Sequence, residues 1–233
     1  MHSPIKSIKK ARVGLYSIGL KAYWNQFDGL KERLLNYGQF IELNMNQNAE
    51  VYNYGLVDSV EEGRKAGEWF NEQNIDLIFC HSATYSTSST ILPIHQICKK
   101  PVIILNLQPS SQLDYDHTTT GEWLSQCGAC PVPEIANAFN RANIPFRVIN
   151  GLLGLNYTST NSQTNEVTYE RKEAKRAWKE IEEWILAATV VRTLQNSRFG
   201  FLGNTYNGML DMYSDFTMIQ SQFGLHIEIL EMC

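Results

Sequence analysis

Two near-continuous apolar runs, Ile75–Cys80 (IDLIFC) and Pro101–Asn106 (PVIILN), constrain this chain more than any other feature. A strand that is apolar on both sides of its pleat needs cover on both faces, which is the habit of parallel sheets sandwiched between helices. The flanking sequence offers that cover. Arg12–Ser17 (RVGLYS) reads as a first strand ending at Ile18-Gly19, Glu50–Gly55 as a second, and Ile144–Asn150 (IPFRVIN) as a fifth. Helix spacing recurs between them. It runs from about Trp24 to Met45 through Phe27, Leu30, Leu34 and Leu35, and over Ser59–Asn74 through Val60, Ala66, Trp69 and Phe70. Asp58 with Glu61 three residues on predicts a capping box before that second helix. A third helix is expected from about Thr87 to Lys99, with Pro93 offsetting its start, and helical segments near Glu122–Cys127 and Pro133–Ala142 follow a polar stretch, Leu107–Thr120. Strands alternating with helices predict an α/β fold over residues 1–150: an open parallel sheet with helices on both faces, Rossmann-like or flavodoxin-like.

The alternation then breaks. Residues 151–168, with the string NYTSTNSQTNEVT, lack any apolar period and read as a linker. Tyr169–Leu194 is predicted to be an amphipathic helix with Ala177, Ile181, Trp184, Ile185, Ala188 and Val191 in one stripe. A strand over Asn196–Leu202, a turn at Gly203–Gly208, a helix from Met209 to about Gln222 and a strand at His226–Glu231 complete the reading. Strand, helix, strand is too little to close a domain. Residues 169–233 are therefore expected to be the start of a second α/β domain, whose Ile227, Ile229 and Leu230 lack cover.

A net charge of −4 provides no field for nucleic acid or anionic lipid. The one basic cluster, Lys6–Arg12 (KSIKKAR), reads as a solvated lead-in to the first strand. No apolar window of about eighteen residues predicts a membrane span. The N-terminal sequence lacks the apolar run of a secretory signal, and five cysteines in 233 residues do not make a disulfide scaffold. With Cys80 and Cys98 read as reduced packing residues, a cytoplasmic location is expected.

Candidate chemistry gathers where strands end. The turn after the first strand is neither GxGxxG nor a phosphate loop, which leaves dinucleotide binding unsupported. It does place Lys21, Tyr23, Trp24 and Gln26 at the C-terminal edge of the sheet, where open α/β sheets bind ligands. Aromatic platforms beside hydrogen-bonding groups suit a sugar, and anchoring of the next helix is the competing reading. Asn106 and Gln108 add amides to this rim, with buried caps of the sheet as their alternative role. His81, Thr84 and Tyr85 end the third strand, and His117 lies in the long loop. Cys127-Gly-Ala-Cys130 is a lone CxxC, readable as structural cysteines or as a redox pair. His226 and Glu228 share a strand face but are too few for a metal site.

The longer strings carry a resemblance. Gly14–Gln26 (GLYSIGLKAYWNQ), Tyr54–Asp58 (YGLVD), Leu105–Pro109 (LNLQP), Thr119–Trp123 (TTGEW), Cys127–Arg141 (CGACPVPEIANAFNR) and Tyr206–Asp215 (YNGMLDMYSD) together resemble the arabinose/fucose isomerase superfamily. The resemblance implies an aldose–ketose isomerase acting on a pentose or hexose with Mn²⁺ as cofactor. The metal and catalytic residues would lie beyond this N-terminal portion, so that the chain alone binds no metal. It further implies sugar contacts from Lys21, Tyr23, Trp24 and Gln108, and a homo-oligomer or association with a missing catalytic half. A stand-alone sugar-binding or regulatory module is the alternative.

Overall fold

The computed structural model describes residues 9–157, 167–202, 208–209 and 213–230. Cys233, the Gly203–Gly208 turn up to Asn207, and parts of the 151–168 linker and of YNGMLDMYSD lie outside them. The chain divides into two compact units. One is Ala11–Ile185, and the other joins residues 1–10 to Leu186–Cys233.

The larger unit is the predicted α/β fold. Its sheet contains β1 (Arg12–Ile18), β2 (Glu50–Val57), β3 (Leu77–His81), β4 (Val102–Gln108) and β5 (Phe146–Leu152). All four pairings are parallel, in the order β2-β1-β3-β4-β5. The single leftward step, from β1 to β2, passes through α1 (Leu30–Met45), and the rightward steps pass through α2 (Val60–Glu72), α3 (Ser88–Ile97) and α5 (Val132–Arg141). Right-handed crossovers then put α2, α3 and α5 on one face and α1 on the other. The core bears this out. Tyr16, Ile18, Ile78, Cys80, Val102 and Ile104 from the strands meet Phe70 of α2, Ile91 and Ile94 of α3, and Phe139 of α5. On the opposite face, α6 (Lys172–Gln195) begins beside α1, with Trp178 edge-on to Phe40 at 6.3 Å. Its buried residues Ala174, Ala177, Ile181 and Ile185 keep the predicted stripe only in its first half.

Three local differences from the sequence reading have physical causes. The first helix begins at Leu30 rather than near Trp24, because Gly29 at φ 76° takes a left-handed turn no helix accommodates. The cap of α2 is Ser59, whose side chain accepts from the Glu62 amide, since the Asp58 carboxylate is held by the Trp24 indole at 2.7 Å. Pro93 lies inside α3 instead of at its start; the partner its missing N–H would have had is the carbonyl of Ser89, an exposed residue that water reaches. β5 also runs on through Gly151 and Leu152, and Leu153 and Leu155 beyond it are fully buried.

The smaller unit contains β6 (Arg198–Leu202), α7 (Phe216–Phe223) and β7 (His226–Leu230), the two strands paired in parallel. Phe201 stands edge-on to Phe216 at 4.9 Å. Ile229 and Leu230 are exposed, and Ile227 is half-buried. Glu228 is engaged by Arg198 at 3.0 Å rather than paired with His226. Among the described residues no helix is long and apolar enough to cross a membrane, and no group of three or more His, Cys, Asp or Glu could hold a metal ion.

Candidate functional site

A parallel sheet gathers its strand-to-helix loops on one edge, and in this strand order the chain reverses direction between β1 and β3. That reversal opens a crevice at the carboxyl ends of the strands. The loop after β1 begins with Gly19, whose amide extends the ladder to Val57. A short 3-10 turn, Lys21–Tyr23, follows. Trp24 then folds back so tightly that a side chain at position 19 would come within 2.6 Å of its ring. With its indole N–H on Asp58, Trp24 pins the loop to the end of β2, so packing accounts for much of this residue. Tyr23 is half-buried and stands edge-on to Trp24 and to Phe27, while Lys21 is exposed.

Gln108 lies at the end of β4. Two strand spacings, or about 10 Å, separate it from the β1 loop. Its amide donates to Asn106 at 3.0 Å, and Asn106 donates to Asn150 at 2.7 Å, a chain of amides across β4 and β5. The structure thus groups Lys21, Tyr23 and Trp24 and places Gln108 apart. Among the described residues no hydrogen bond joins Gln108 to the other three.

The remaining candidates are mostly spoken for. His81 accepts or donates at 2.9 Å to Ser17, and the two are 1% and 3% exposed. A serine beside a histidine is the beginning of a nucleophile, but this pair is sealed beneath α1, and burial holds the His81 pKa down at about 3. It is a neutral pair joining β1 to β3. Thr84 donates to the Leu124 carbonyl, and Tyr85 donates to Glu134. Glu134 accepts the amide of Ser88 at the start of α3, and that hydrogen bond lowers its pKa. His117 is exposed and bonded to Asp114, whose carboxyl it lowers.

The group that sequence reasoning missed is an ion pair. Arg33, one turn into α1, donates to Glu122 of α4 (Thr120–Leu124) at 2.6 Å and to Ser125 at 3.2 Å. The Arg33 and Glu122 side chains are only 16% and 9% exposed. Thr119 caps α4 by accepting the Glu122 amide, which fixes where the carboxylate stands. Around the pair lies a cleft of about 430 Å³, lined also by Phe27, Asp28, Leu30, Thr119, Thr120 and Gly121. Its size is within the range of small-molecule sites. A guanidinium and a carboxylate beside hydroxyls and an aromatic wall can donate to, and accept from, neighbouring hydroxyls of one ligand. The site holds no accessible nucleophile–base pair among the described residues. Glu122 was visible in sequence only as part of TTGEW, and Arg33, 89 residues earlier, gave no local signal.

No family model and no curated protein matches this chain. Among solved structures the chain is similar to a carbohydrate acetylesterase from Sinorhizobium meliloti, at 9% identity and a TM-score of 0.43, over 76% of this chain and 99% of that one. Neither the family models nor the curated proteins place the chain among the isomerases. The expected place in the arabinose/fucose isomerase superfamily is corrected accordingly, and with it the aldose–ketose reaction; the manganese and the oligomer inferred from it lose their basis. Two of the strings that carried the resemblance have structural duties. In PEIANAFNR, Ile135 and Phe139 fill the core and Glu134 caps α3; in YGLVD, Asp58 anchors Trp24.

Proposed function

We propose that this chain binds a small polyhydroxylated ligand, of the size and chemistry of a monosaccharide, in the cleft around Arg33 and Glu122. The observation that carries the reading is the ion pair itself. A carboxylate and guanidinium held together and largely out of water, yet lining an open cleft, present fixed acceptors and donors to a polar ligand. Phe27 offers an apolar wall for the faces of C–H bonds that a sugar ring exposes, and Asp28, Thr119 and Thr120 offer further acceptors and hydroxyls. Lys21 and Tyr23, on the loop that leads into Phe27, are proposed to close the rim. Trp24 and Gln108 are proposed to hold the loops in position.

Saturation-transfer NMR on the full chain with a panel of aldopentoses, aldohexoses and non-sugar polyols tests this. Transfer to at least one member is expected, with loss in Glu122→Gln at unchanged far-UV circular dichroism. Absence of transfer for the whole panel at tens of millimolar, a weak affinity of only about 2–3 kcal/mol, overturns the reading.

A further inference from the structure

We propose that Cys127 and Cys130 form a reversible dithiol–disulfide centre that exchanges electrons with an external thiol through the sulfur of Cys130. The two are paired, with Cα atoms 5.6 Å apart. Their surroundings differ sharply: Cys127 is 4% exposed, while Cys130 is exposed. Cys130 also ends the 3-10 turn Cys127–Ala129 and stands immediately before Pro131, the N-cap of the ten-residue α5. The positive end of a helix favours a thiolate there. Accessibility and electrostatics therefore select the same sulfur.

The turn between the sulfurs is held by bonds that do not involve them. Ser82 donates to the Gly128 carbonyl at 2.5 Å and Thr84 to the Leu124 carbonyl at 2.7 Å, and Ser110 bonds Gln126. Gly128 itself lies so close to β3 that a Cβ would come within 2.2 Å of the Ser82 carbonyl oxygen. Opening the disulfide therefore leaves both thiols in place, ready to close again. As a staple the bond would contribute little, since stabilisation by a cross-link grows with the loop it closes and this loop is minimal. Among the described residues the free thiols do not compete: Cys80 and Cys98 are buried, and burial pushes the Cys80 thiol up to about 12.

The chemistry balances as two-electron exchange. The Cys130 thiolate attacks one sulfur of an external disulfide, forming a mixed disulfide and releasing one thiolate. Cys127 then loses its proton and attacks the Cys130 sulfur, closing the intramolecular bond and releasing the second thiolate. The two protons given up by the protein pass to the two released thiolates, and the external disulfide is reduced as the protein dithiol is oxidised. A dithiol in excess drives the same steps backwards.

The test equilibrates the full chain in glutathione buffers of graded reduced-to-oxidised ratio, followed by acid quench, alkylation and peptide-resolved mass spectrometry. One two-electron transition confined to the Cys127–Cys130 peptide is expected within the glutathione range, with the trapped mixed disulfide on Cys130. Aromatic-disulfide reagent should react with Cys130 in Cys127→Ser at least tenfold faster than with Cys127 in Cys130→Ser, both in a Cys233→Ser background. A pair that stays oxidised or stays reduced across the whole range overturns the proposal. So does glutathione trapped on Cys127, or equal rates in the two variants. The wild-type measurement stands even where a variant folds poorly.

Discussion

Replacing Gly63 with alanine sets two effects against each other, and the structure says which should win. Gly63 faces α3 from the first turn of α2, where a Cβ would stand 2.2 Å from the Thr90 carbonyl oxygen. One turn on, Gly67 is in the same position against Ile94, at 2.9 Å from its carbonyl. In an exposed helix, alanine in place of glycine stabilises by about 1 kcal/mol. Here the obstructing atom is backbone and cannot swing aside, so α2 must retreat by about 1 Å, a gap that forfeits a quarter to a half of each dispersion contact across it. The interface that opens includes Ala66 and Phe70 against Ile91 and Ile94. Overpacking of this kind costs about 3 kcal/mol at its upper end, which leaves a net loss of about 2 kcal/mol after the propensity gain. For a unit of this size that is a fall in Tm of about 4–8 °C. Urea unfolding followed by circular dichroism measures it, with Asn71→Ala, exposed on the same helix, as the propensity control expected to be neutral or slightly stabilising. A Gly63→Ala chain as stable as the wild type would mean that α2 and α3 do not approach as closely as described.

Three further outcomes are expected. His81 and His95 are buried and neutral, with desolvation lowering both pKa values to about 3, so the unfolded chain takes up protons below about pH 6.5 that the folded chain refuses. Their contribution is complete above that pH and is lost as pH falls towards 3; by pH 5 each should remove about 2 kcal/mol, and urea midpoints across pH 7 to 4.5 should flatten in His81→Asn/His95→Gln. Glu122→Gln should destabilise by about 2–3 kcal/mol, because Arg33 keeps its charge in a largely dry position without its carboxylate, and a thermal melt reads the loss. Trp24→Phe removes the donor to Asp58 and should lower stability by about 1–2 kcal/mol, with increased amide exchange confined to residues 19–28 as its local signature.

The sheet was legible because its signal is carried by residues close in sequence. β3 and β4 are buried along nearly their whole length, and the sequence shows this as near-continuous apolar runs. The errors fall where a side chain has two possible partners. Asp58 reads as a cap by local pattern, but the indole of Trp24, 34 residues away, claims it and Ser59 takes over the capping. A single backbone angle at Gly29 moved the start of α1 by about two turns, a choice that apolar spacing does not record.

The cleft was illegible for the same reason, carried further. Arg33 and Glu122 each sit among charged and polar neighbours that make them look like ordinary solvated helix residues. What distinguishes them is burial, and burial is created only when α1 and α4 come to the same edge of the sheet. Strong local patterns, by contrast, were prone to be read as chemistry when they were packing: PEIANAFNR turns one face to the core and lends its carboxylate to a helix cap. A candidate site in this fold is therefore to be sought among polar side-chain pairs that the topology buries at the strand ends and leaves beside an opening. Ser17 with His81 meets the first condition and fails the second, being closed off beneath α1, whereas Arg33 with Glu122 meets both.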